Sequence, residues 1–271
     1  MAEEVGWKAC LLLCFLLLSC QQVTTDDVEV SDPDGSLIVS IQDSLPPCTR
    51  INYAFYTLAG TRVRQVNQQA GTSGFGRVAF QLQPDTYQLV VVAHSSNGNP
   101  TMTNPHKIQF TNAKGFTDTF LYYCPEVQVT GEELQLTVTL SRIVSLCRVV
   151  FTDSIPQDVA TLQFTYTGGS GAFDASTGLG CVRSTQKMEF PVIPGQREYD
   201  LYTFLRSTEG TLHLQVAAQD KQGHILRQCT YDVPMVQHQI TELTTPFSGA
   251  APTDITIRLH PDWQNGPTIP F

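Results

Sequence analysis

The sequence predicts an all-β chain built as two sandwiches in tandem, and three observations carry that expectation. Apolar and polar residues alternate with a period of two in short runs rich in Val, Ile, Thr, Tyr and Phe. Gly, Pro, Asn and Asp punctuate these runs every ten residues or so. No long segment repeats its apolar residues at the roughly 3.6-residue period of a helix. Short motifs also recur in the same order about 110 residues apart, as in a duplicated β unit.

The first element is a targeting segment. Leu11 to Leu18 form an apolar block the length of a signal-peptide core, too short to cross a bilayer. The block ends in Leu17-Leu18-Ser19-Cys20, a small residue directly before a cysteine, which resembles a bacterial lipobox. Residues 1–19 are therefore expected to be removed and Cys20 lipidated, because a thiol and an amine on one terminal residue can both carry acyl chains. The segment departs from the usual pattern in placing Glu3 and Glu4 beside Lys8. Residues 20–35 follow as an acidic, polar tether with too little apolar area to fold by itself. No Lys or Arg occurs between Cys20 and Arg50, so charge would repel this tether from an anionic lipid surface.

Residues 36–141 are expected to form the first sandwich and residues 142–271 the second. The clearest strands of the first are Leu37-Ile38-Val39-Ser40-Ile41, residues 51–56, Tyr87 to Ala93 and residues 134–140. The second offers residues 162–167, residues 212–216 and Ile255-Thr256-Ile257. Three pairs of motifs link the halves. Asp43-Ser44-Leu45-Pro46 returns as Asp153-Ser154-Ile155-Pro156, and Ile51-x-Tyr53-x-Phe55 returns as Leu162-x-Phe164-x-Tyr166. Phe80-x-Leu82-x-Pro84 with Tyr87-x-Leu89 returns as Phe190-x-Val192-x-Pro194 with Tyr199-x-Leu201. The aromatic residues at these turns read as core residues. The loop from Gly168 to Cys181 has no counterpart in the first half.

Composition narrows the function. The chain carries 16 basic against 25 acidic residues, a net charge of −9, with no basic stripe, so nucleic-acid binding is disfavoured. The six histidines lack metal-ligand spacing, Gly-x-Ser-x-Gly is absent, and Gly169-Ser170-Gly171 reads as a flexible turn. No cofactor, metal or catalytic residue is expected, and His213 should face solvent. With Cys20 set aside, Cys48, Cys124, Cys147, Cys181 and Cys229 remain, an odd number. Mostly free, buried thiols are the favoured reading, with one or two disulfides as the alternative. Only Trp263 is available as an indole platform for sugar, and its place after the last strand suits a plug closing the second sandwich. A glycan-binding surface lipoprotein is thus the less favoured class.

The lipobox at Cys20, Asp43 to Cys48 before the strand at Ile51, the Phe80 to Tyr87 turn, and Leu140 to Val144 leading into Asp153 to Ala160 together resemble one family. It is the FimB-like family of fimbrial anchor subunits, lipoproteins at the base of Bacteroidales-type fimbriae. The resemblance implies two tandem transthyretin-like β-sandwiches and a subunit that holds the fimbria to the outer membrane through its lipid. Its partners would be other fimbrial subunits, bound through main-chain pairing at sheet edges. The same resemblance separates anchor from shaft or tip subunits. Shaft subunits are understood to lose their N-terminal strand to an arginine-specific protease. Residues 21–49 contain no Arg, and the only candidate processing site is Arg50, at the start of a strand. The anchor is therefore the favoured role, with a shaft or tip subunit as the alternative.

Overall fold

A computed structural model describes residues 37–42, 45–112, 115–130, 132–248, 255–260 and 263. Among them every regular element is a strand, as the alternating pattern requires. The first half contributes β1 (Leu37–Ile41), β2 (Arg50–Thr57), β3 (Arg62–Gln69), β4 (Arg77–Phe80) and β5 (Asp85–His94). It continues with β6 (Thr101–Asn104), β7 (Lys107–Gln109), β8 (Phe120–Val129), β9 (Leu134–Val138) and β10 (Ser141–Arg142). The second half begins with β11 (Ser145–Phe151), β12 (Thr161–Thr167), β13 (Gly169–Ser170), β14 (Ala172–Phe173) and β15 (Gln186–Pro191). It ends with β16 (Glu198–Leu205), β17 (Glu209–Gln219), β18 (Ile225–Val236), β19 (Ile240–Thr245) and β20 (Thr256–His260).

In the first half a sheet of order β4-β1-β9 faces one of order β10-β8-β5-β2-β3. In the second half β13-β16-β11-β19-β20 faces β15-β12-β17-β18. The two halves share one wiring. β1 lies between antiparallel β4 and parallel β9, as β11 lies between antiparallel β16 and parallel β19. The order β3-β2-β5-β8 likewise repeats as β15-β12-β17-β18. Even the exit from the first strand repeats, with Gln42 N–H donating to Val138 O as Thr152 N–H donates to Thr245 O. Residues 51–56 and 162–167 occupy equivalent strands, β2 and β12, and Leu37 and Cys147 are both fully buried in equivalent strands. The motif at Phe80 and Phe190 does not follow this correspondence. It joins β4 to β5 in the first half but β15 to β16 in the second, one strand out of step. An apolar strand end, a Pro turn and a returning aromatic suit any strand-to-strand connection, so that match carries no register.

Each sandwich has its own core. Tyr53, Phe55, Phe80, Tyr87, Leu89 and Val91 fill the first, with Phe55 and Phe80 edge to face at 4.8 Å. Phe164, Tyr166, Tyr199, Leu201, Leu214 and Val233 fill the second. In the second sandwich the Asp153 carboxylate accepts from Phe247 N–H and from both the N–H and Oγ of Ser248, tying the first loop to the last turn.

A third core joins the halves. The face of the first half's five-stranded sheet turned away from its own core carries Ala54, Tyr56, Val90, Val92 and Leu121, all buried. The β6–β7 hairpin, Phe116, and Phe173 and Phe204 from the second half cover it. The loop with no counterpart makes this closure. Its β14 pairs with β7, Ala172 opposite Gln109 and Phe173 opposite Ile108, so β14-β7-β6 is a small sheet drawn from both halves. Gly169-Ser170-Gly171, expected to be a flexible turn, is instead fixed, because β13 pairs with Phe204–Leu205 of β16 and Ser170 is buried. Glycine is required on that path: at Gly168, with φ +96°, a Cβ would fall 1.9 Å from Thr211 O.

His94 closes this region with polar contacts. It is fully buried, and its Nε2 donates to Asn52 Oδ1 while Nδ1 accepts from Ser96 N–H and Oγ–H. Asn52 passes the network on to Asn67 and Asn99. Every partner suits a neutral ring. Burial first, and Arg50 second, push the His94 pKa down to about 4.

Two predictions follow from this packing. Phe204 meets Phe110, Phe116 and Phe173 with ring centroids at 5.9, 6.3 and 4.9 Å. Phe204→Ala should cost about 3–5 kcal/mol in denaturant unfolding, or split one transition into two. For His94, the unfolded chain takes up a proton near the ordinary value of about 6.5 and the folded chain only near 4. Its stabilising contribution is therefore intact above pH 6.5 and lost on acidification towards 4, about 3 kcal/mol in all. His94→Gln should flatten stability against pH across that window; an unchanged slope in denaturant titrations would refute the assignment.

Candidate interaction surface

Among the described residues no group of His, Cys, Asp and Glu is placed to hold a metal ion. His213 is exposed, as expected, and faces Asp232 across the β17–β18 pair at 2.6 Å. The thiols are all free among the described residues, with Cys147 buried, Cys48, Cys124 and Cys229 half-buried, and Cys181 exposed. Burial pushes the Cys48 pKa up to about 11 and that of Cys147 to about 12, so neither is a ready nucleophile.

The chemistry on offer is that of sheet edges. Among the described residues the terminal strands β3, β4, β9, β15, β18 and β20 each have one side without a strand neighbour. β20 is the most open, with all five residues exposed. Its Ile257 and Leu259 stand opposite Leu243 and Thr241 of β19, both buried, and so point to the same inner side of the sheet. They nevertheless stay 38% and 46% exposed, because the opposing sheet ends at β18 and nothing described covers them. The second sandwich also has a shallow pocket lined by Phe151, Val216, Ala218, Arg227, Cys229, Tyr231 and Phe247. Ile225 and Leu226, at the start of β18, add further exposed apolar surface. Sequence patterning missed this surface, since strand alternation shows which residues share a face but not where the opposing sheet stops.

Cys20 and the acidic tether lie outside the described residues. Arg50 opens β2 and is paired on both sides, to Gln69 of β3 and His94 of β5. Thr49, just before it, donates to His94 O and accepts from Ala70 N–H, so the flank of Arg50 is tied as well. β1 is equally enclosed, with β4 on one side and β9 on the other.

Trp263 is not the plug of the second sandwich that its position suggested. β20 delivers it to the junction of the halves, where its ring lies over the Arg142 guanidinium at 4.3 Å and tilts on Tyr202 at 6.3 Å. Arg142 also donates to Trp263 O at 2.7 Å and holds Asp118 through two hydrogen bonds of 2.7 and 2.8 Å. A guanidinium satisfied on all sides and stacked on an indole makes a firm clasp.

Comparison with known proteins fits this edge-rich, chemically plain surface. A family profile described as fimbrillin-A associated anchor proteins Mfa1 and Mfa2 matches residues 50–266. A search of curated protein sequences returned no match. Among solved structures, a putative adhesin from Bacteroides ovatus superposes with a TM-score of 0.50 at 17% identity, covering 72% of this chain and 81% of that one. The fimbrial anchor protein Mfa2 from Porphyromonas gingivalis gives 0.44 at 12% identity, over 82% of this chain and 96% of that one. The tip fimbrial protein Mfa3 from the same organism gives 0.43 at 11%, over 83% and 97%. The profile spans well over half of the sequence and both sandwiches, so this chain belongs to the Mfa2 family of fimbrillin-A associated anchor proteins, and is a structural fimbrial subunit, not an enzyme.

Proposed function

We propose that this subunit is the anchor of its fimbria, held in the outer membrane by lipid on Cys20 and exposed at the cell surface. The observation that carries the reading is the pairing of a lipobox with the absence of any Arg between Cys20 and Arg50. A protein processed by an arginine-specific protease needs an accessible Arg between its lipid and its folded body. Here the candidate, Arg50, has backbone partners on both sides, and a protease needs its substrate extended and unpaired. Cleavage there would also strip out β1, which fills the centre of its sheet. Keeping β1 keeps the lipid, which is what an anchor requires. The partners in this reading are other fimbrial subunits, and the exposed β20 edge with Ile257 and Leu259 suits a strand-mediated contact.

Two measurements test the reading. Cys20→Ala should shift the protein from the membrane fraction to a soluble or unprocessed form, and unchanged fractionation would exclude lipid anchoring there. Intact-mass analysis of cell-surface protein, before and after treatment with an arginine-specific protease, should find an acylated N-terminus and no chain starting at Ile51. A chain starting at Ile51 would place the protein with shaft subunits.

A further inference from the structure

Charge is sorted in blocks along the N-terminal third of this chain. Residues 21–43 hold Asp26, Asp27, Glu29, Asp32, Asp34 and Asp43 with no base, whereas residues 44–84 hold Arg50, Arg62, Arg64 and Arg77 with no acid. Three of those arginines are exposed and lie on β3 and β4, which end their respective sheets. Arg62 donates to Gln65 Oε1 and Met102 O, and neither Arg64 nor Arg77 takes part in an ion pair among the described residues.

We propose that the free edge of β3 is the docking site of the chain's own acidic segment, residues 23–32, which adds antiparallel to it with carboxylates set against Arg62 and Arg64. Backbone phase supports a strand there. Ala70 N–H donates to Thr49 O, so counting in twos along the ladder turns the main-chain groups of Gln65 and Asn67 away from β2, towards the open edge. The extra residue at the irregularity between Phe55 and Tyr56 confines regular pairing to the stretch from Arg64 onward. The segment has the composition of a strand, Val23-Thr24-Thr25-Asp26-Asp27-Val28-Glu29-Val30, followed by Pro33 and Gly35 for a turn.

Connectivity supports the same place and direction. Leu37 enters β1 opposite Phe80, Phe80 packs on Phe55 at 4.8 Å, and Phe55 is paired with Arg64. The chain therefore reaches its first strand at the Arg64 end of β3. Four or five turn residues span about 15 Å, enough to cross from one sheet to the flank of the other. A segment returning from that turn lies against β3 with opposite polarity. Ten extended residues cover about 33 Å, enough to run the length of β3. Docked, the segment covers an edge that would otherwise invite another chain. Undocked, it is an extended spacer, so the charge pairs set how far the body stands from residue 20.

The test is hydrogen exchange on the full chain in detergent solution, read by mass spectrometry for residues 23–32 and for β3. Docking predicts amides of both stretches exchanging about tenfold slower than in a chain with Arg62→Glu and Arg64→Glu together. Adding Asp26→Lys, Asp27→Lys and Glu29→Lys to that variant should restore the protection, which a folding defect would not. Equal exchange in all three chains overturns the proposal. Protection that grows with protein concentration overturns it too, by assigning the edge to a second copy. The outcome does not depend on lipidation, so it stands or falls separately from the anchor reading.

Discussion

The molecule depends on one apolar surface that a single sandwich could not leave exposed. The outer face of the first half's five-stranded sheet carries Ala54, Tyr56, Val90, Val92 and Leu121, and without the second half the β6–β7 hairpin and Phe116 alone would stand between it and water. Phe204 from β16, Phe173 from β14 and the β6–β7 hairpin close it. Burying apolar side chains at about 1.5–3 kcal/mol each makes the junction a third core. Packed rings and a shared small sheet therefore couple the two halves mechanically.

Polar contacts around the junction fix its geometry. Arg142 spends its donors on Asp118 and Trp263 O while stacking between Phe120 and Trp263, and so ties the last described residue to the five-stranded sheet of the first half. His94, Asn52 and Ser96 form a neutral network with each member satisfied, beside Phe110 at 5.1 Å. Buried polar groups left unpaired cost more than they return, and here they are paired. The network holds the first half's sheet, its edge strand β3 and the loop through Asn99 in one arrangement.

Edges decide how such a protein meets others. The two sandwiches share a wiring but end their sheets differently, with the first half's flank lined by arginines and the second half's by uncovered Ile257 and Leu259. A charged edge discourages indiscriminate pairing and selects acidic partners, whereas an apolar one rewards any strand that fits.

Much of this was legible in the sequence because strand alternation and turn residues are local properties. The all-β class, the strands at residues 51–56 and 162–167, the solvent-facing His213 and the core aromatics Phe80 and Tyr87 follow from the strand patterning of the sequence and need no knowledge of the partner sheet, though burial of both faces of residues 51–56 did need it. What escaped depends on distance in the chain. The loop after Gly168 had no visible purpose until β14 met β7, some 65 residues earlier in sequence. Trp263 was placed on the wrong surface because its partners, Arg142 and Tyr202, lie far away in sequence. His94 gave no sign of burial, since the partner of its Nε2, Asn52, lies 42 residues away in sequence. Local patterning determined which residues turn inward. Only the tertiary fold decided which inward face became a core, which became a junction, and which edges were left open, because those outcomes depend on where a second sheet begins and ends.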